Sequence, residues 1–186
     1  MRTVVLVSSV LLGACSSAPP TTAATAELAE FYRVRSAMPF PENAVAALAD
    51  RLAGTGAASL AAARLDALLA FPAQLAAKTR RVQGAPDRAV LASAARAAGF
   101  ESVAEATATY LAARTAWNTL VELQAIERES ATVETAAAQE RLAALSTTYD
   151  VGALSRRALE AVYARREGLQ PVLDALAGAD AVASAR

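Results

Sequence analysis

Carboxylates are the first side chains to weigh for chemistry, because the chain contains no histidine. That absence removes the commonest general base, nucleophile partner and metal ligand together. Serine-histidine and cysteine-histidine mechanisms are excluded. Zinc, copper and haem sites lose their usual ligand, and the Glu-x-x-His pairs of di-iron bundles are missing. Acid–base work would fall to paired carboxylates, as in glycoside hydrolysis. Glu101 with Glu105, Glu127 with Glu129, and Glu134 with Glu140 are the pairs close enough in sequence to consider. Acids at such spacings also serve as helix caps and solvated faces, and Glu105 has a capping role of its own. Glycine-rich phosphate loops and calcium-loop patterns are absent. No catalytic residue, metal or cofactor is therefore expected.

Binding candidates are few. Trp117 is the only tryptophan, and Tyr110 lies two turns earlier on the same helical face. Their rings could stack on a sugar or an apolar ligand, or could pack in the core. Arginines occur in pairs at Arg80 and Arg81, Arg156 and Arg157, and Arg165 and Arg166, where anionic glycans or lipid headgroups could meet them. Arg166 falls between Val162 and Leu169 on an apolar stripe, so it must snorkel, find an acid or hold an anion.

The clearest chemistry sits near residue 15. Arg2, an apolar stretch from Val4 to Leu12 broken only by Ser8 and Ser9, and small residues before a single cysteine have the three-part layout of an export signal. The apolar run is shorter than the about 20 residues that a membrane-spanning helix needs. Leu12-Gly13-Ala14-Cys15 resembles the lipobox of bacterial lipoproteins. The resemblance implies cleavage before Cys15, diacylation of its sulfur and acylation of the new amine. Each buried methylene contributes about 0.8 kcal/mol, so such an anchor would be strong. For a lipoprotein of a diderm bacterium the resemblance further implies, from Ser16 in place of aspartate after the cysteine, the outer membrane.

Composition bounds the remainder. Removing Arg2 from the 18 basic residues leaves 17 against 18 acidic ones, too balanced for a nucleic-acid partner. Cys15 has no second cysteine to pair with, so packing alone must hold the fold. Alanine exceeds a quarter of the chain, and glycine, proline and aromatics are scarce, which predicts a nearly all-helical domain.

The pattern predicts an all-α, antiparallel bundle of six or seven helices, some kinked at proline. Residues 1–14 read as a cleaved signal, 15–26 as a lipidated, flexible tether, 27–178 as one helical domain and 179–186 as a frayed tail. A first helix with Leu28, Phe31, Tyr32, Val34 and Met38 on its apolar face ends at Pro39. A second starts at Pro41 and buries Val45, Leu48 and Leu52 before Gly54 and Gly56 interrupt it. The next spans Ala57 to Arg81, with Leu60, Leu65, Leu68, Leu69, Leu75 and Val82 facing inward and a kink near Phe71 from Pro72. Gly84, Pro86 and Gly99 frame a compact helix carrying Val90 and Leu91.

Ser102 and Glu105 form a capping-box pattern that opens a long helix. Val103, Ala106, Tyr110, Ala113, Trp117, Leu120 and Val121 make its inner stripe. The stripe meets polar Gln124, Arg128 and Thr135, predicting a poorly buried middle and a division around Ser130 to Thr132, after which Ala138, Leu142, Leu145 and Tyr149 resume it. Asp150 is the expected cap of a last segment with Leu159, Val162, Leu169, Leu173 and Leu176 inside, bent at Pro171.

These features predict a non-catalytic, lipid-anchored protein of the cell envelope, at the periplasmic face of the outer membrane, whose bundle engages an envelope protein, a glycan or a small apolar ligand. Two other readings stand beside it. One is a histidine-independent glycan hydrolase using paired carboxylates; the other is a spacer between membrane and cell wall.

Overall fold

The computed structural model describes residues 26, 27, 30, 33, 34, 37–52, 60–79, 88–132 and 135–184. Cys15 and its tether, Leu28, Phe31, Tyr32, Gly54, Gly56, Arg80, Arg81, Val82, Gly84, Pro86 and Glu134 lie outside these residues. Within them the regular elements are helices: α1 (Glu42–Ala47), α2 (Ala49–Leu52), α3 (Ala62–Thr79), α4 (Arg88–Ala98), α5 (Val103–Ser130), α6 (Thr135–Thr148), a 3-10 turn (Val151–Ala153), α7 (Arg156–Ala164) and α8 (Arg166–Ser184). The protein is an all-α helical bundle, and no strand occurs among the described residues.

Local chemistry sets the boundaries. Ser102 has extended backbone and its hydroxyl accepts from the Glu105 amide at 3.1 Å, starting the 28-residue α5. The Glu105 carboxylate does not complete a box with Ser102. It accepts from the Glu101 amide one residue further out, at 2.7 Å. Where α5 ends, Ser130 donates its hydroxyl to the Ile126 carbonyl and Thr132 to that of Glu129. These side chains compete for the last carbonyls, and the expected division falls there. Ser146, Thr147 and Thr148 close α6 in the same way on the carbonyls of Ala143 and Ala144.

Gly99 ends α4 with φ of 105°, its amide on the Arg96 carbonyl and the Phe100 amide on that of Ala95. This is the Schellman pattern, which asks for glycine at that position.

Several boundaries depart from the expectations. Leu48 divides the second helix into α1 and α2, and Pro41 stands at the N-cap of α1 rather than inside it. Asp150 makes no side-chain cap. Ser155 takes that role instead, accepting from the Ala158 amide at 3.1 Å, because Val151–Ala153 form their own 3-10 turn first. The last segment breaks at Arg165, and α8 then runs through both Pro171 and Gly178 to Ser184. Gly178 is thus no stop: a lone glycine costs only about 1 kcal/mol within alanine-rich sequence. α3 likewise continues through Pro72.

One apolar cluster runs from Ala44 to Leu176 and takes residues from every helix. The α5 stripe is buried as patterned: Ala106, Tyr110, Ala113, Trp117 and Leu120 all face inward. In its middle Arg128 and Thr135 are exposed as expected, and only Gln124 departs from the expectation. Leu123 and Ile126 continue the core, and Gln124 goes inside because its amide donates to the Pro39 carbonyl at 3.1 Å. Val34, expected on an inner face, is 55% exposed.

Small residues let the helices approach closely. Ala94 and Ala95 on α4 and Ala113 and Ala116 on α5 are fully buried. A Cβ at Gly168 of α8 would come within 3.2 Å of Leu69 on α3. α3 packs chiefly on α4, α5 on its hairpin partner α6, and α7 on α5.

Candidate functional site

Tyr110 and Trp117 are each 6% exposed and belong to the core. Neither offers a ring face to a ligand, so the stacking role considered for them is replaced by packing. The Tyr110 hydroxyl accepts from Arg114 at 3.5 Å.

The carboxylates are arranged by arginines. Arg64 on α3 reaches Glu105 at 2.6 Å and Glu101 at 3.8 Å, and donates to the Gly99 carbonyl at 2.9 Å. The first candidate pair thus closes the α4–α5 corner. Arg141 on α6 bridges Glu122, at 2.7 Å, and Glu129 on α5, fastening that hairpin. Glu127 points elsewhere and accepts from Asn43 of α1 at 3.3 Å. Two residues apart on a helix, Glu127 and Glu129 face different neighbours, so the second pair does not converge. Glu140 is exposed. Among the described residues no cluster of three or more metal-ligating side chains occurs.

Arg165 and Arg166 diverge. Arg165 holds Asp66 on α3 through two bonds, of 2.6 and 3.1 Å. The hydrogen bond and charge of Arg165 keep the Asp66 carboxyl below its ordinary pKa. Arg166 resolves its place on the apolar stripe by folding back. Its guanidinium lies 4.2 Å from the Tyr163 ring centroid and donates to the Tyr163 carbonyl at 3.0 Å. Tyr163 meets Phe40 edge to face at 5.3 Å, and Arg156 covers the other ring at 5.7 Å. Arg156 also binds Glu42 and Glu160. The ladder Arg166–Tyr163–Phe40–Arg156 pins the segment before α1 against α7.

Among the described residues, two surface hollows are notable. One, of about 300 Å³, lies between α1–α2 and the start of α7, over Val45, Ala49 and Leu52 with Arg156 and Arg157 at its rim. The other, of about 390 Å³, lies between α1 and the α5–α6 hairpin. Ala44, Ile126 and Leu142 supply its apolar surface, and Asn43, Glu127 and Gln139 its polar groups. One Glu127 oxygen, Oε2, is buried without a hydrogen-bond partner among the described residues.

Sequence reasoning named Glu127 but tied it to Glu129. Asn43 and Gln139 gave no signal, because they join Glu127 only through the packing of three helices. No described helix is long and apolar enough to cross a membrane. Comparison of the chain with protein-family models, curated proteins and solved structures found no match.

Proposed function

We propose that this chain is a non-catalytic lipoprotein of the cell envelope: a helical binding module held at the periplasmic face of the outer membrane by acyl chains on Cys15. The reading is carried by Leu12-Gly13-Ala14-Cys15 at the end of an apolar run too short to span a bilayer. The fate of the acids supports the binding role. Glu101 and Glu105 are drawn onto Arg64, and Glu129 onto Arg141, which makes them struts between helices rather than a facing acid and base.

Intact-mass spectrometry of native material tests the anchor. An acylated chain beginning at Cys15 is the expected species, and Cys15→Ser should move the protein from the membrane to the soluble fraction. A bare thiol, or unchanged fractionation of the variant, would overturn the anchor. Crosslinking in living cells should recover an envelope component. Hydrolysis of cell-wall or lipid substrates by the purified chain would overturn the non-catalytic reading.

A further inference from the structure

We propose that the hollow between α1 and the α5–α6 hairpin is a binding site for a small organic cation: an ammonium or guanidinium group on a short apolar stem. This deepens the binding-module reading and rests on it only in taking ligand binding as the chain's task.

The argument starts from how the fold treats half-buried acids. Among the described residues these are Glu105, Glu122, Glu127 and Glu129. Arg64 neutralises Glu105, and Arg141 neutralises both Glu122 and Glu129. Among the described residues Glu127 has no arginine. Its side chain has one bond, the 3.3 Å contact from neutral Asn43, while Oε2 is shielded from solvent and unpaired. An ionised carboxylate presents about four acceptor positions, and withdrawing it from water is costly unless charge or hydrogen bonds compensate.

The helix itself supplies no cation. One turn away stand Leu123, Gln124 and Ser130 on α5 and Ala131 at its C-cap, and Arg128 turns its Nε back to the Gln124 carbonyl. Among the described residues no basic side chain lines the hollow. The described lining thus leaves the carboxylate's charge for a ligand to complement.

The shape narrows the ligand. At about 390 Å³ the hollow falls within the range of small-molecule sites. Its walls at Ala44, Ile126 and Leu142 suit a short hydrocarbon stem, and the Gln139 carbonyl can share the donors of a cationic head with Glu127. Glu127 itself lines the hollow. An anion would meet an uncompensated carboxylate there.

The test is calorimetric titration of the full chain in detergent micelles with n-butylammonium, n-butylguanidinium and butyrate. Both cations should bind saturably and butyrate should not. Glu127→Gln should weaken cation binding at least about tenfold with the helical circular dichroism unchanged. Ala47→Met, which fills the hollow from an exposed position while keeping the carboxylate, should also block it. Equal binding of butyrate, no saturable cation binding, or an undiminished affinity in the folded Glu127→Gln chain would each overturn the proposal. Such a failure leaves Cys15 acylation untouched. A bare Cys15 thiol would remove the anchor while leaving the hollow standing.

Discussion

Asp66 on α3 accepts both arms of the Arg165 guanidinium although 99 residues separate them in sequence. Arg165 is also the residue at which α7 gives way to α8. The ion pair therefore fixes the corner between two helices onto a third.

That pair gives stability a defined acid dependence. Asp66 has a folded pKa lowered by Arg165, so its contribution is complete above about pH 5, shrinks as pH falls through the ordinary aspartate range and vanishes once the folded carboxyl protonates. Asp66 is 60% exposed, which screens the interaction and limits it to about 1 kcal/mol or less. Asp66→Asn should lose that amount at pH 7 and nothing near pH 2. Urea midpoints measured at both pH values check this, and equal losses at both would refute it.

Trp117 fills the centre of the α5 stripe, so Trp117→Ala should leave a cavity and cost about 3 to 5 kcal/mol. Chemical denaturation reads the change directly. An unaltered midpoint would mean that the ring is not in the core.

Helix starts offer a paired comparison. Ser102→Ala and Ser155→Ala each remove an observed side-chain cap and should each cost about 0.5 to 2 kcal/mol. Asp150→Ala should cost less than either, since its side chain caps nothing. Thermal melts of the three variants and a Ser102/Ser155 double variant would show the order, with near-additive losses in the double variant.

Gln170 is fully buried, and both polar atoms of its amide lack partners among the described residues. Gln170→Met keeps the length and removes the unsatisfied groups, so it should stabilise the fold by about 1 to 3 kcal/mol. A destabilised variant would instead indicate that the amide has partners within the native protein.

The bundle was legible where one helix carries its own message. Tyr110, Ala113, Trp117 and Leu120 declare an inner face by spacing alone, and Gly99 marks the end of α4 by its backbone freedom. Relationships between distant segments were not legible. Gln124 reads as a polar interruption until Pro39, 85 residues away, offers it a carbonyl. Arg141 shows no sign in sequence that it will take Glu129 away from Glu127. The hollow at Glu127 needs three helices to exist, and the breaks at Leu48 and Arg165 have no glycine or proline to announce them.

The bond from Gln124 to the Pro39 carbonyl has a neighbour: the Tyr163 hydroxyl donates to the carbonyl of Met38 at 2.8 Å. Consecutive peptide units are thereby gripped by two separate helices, α5 and α7, just ahead of α1. A leash fastened upstream of Met38 would deliver its tension to this clip. The long α5 rod would bear the load, and the short α1–α2 stretch could stay seated while the bundle is tugged.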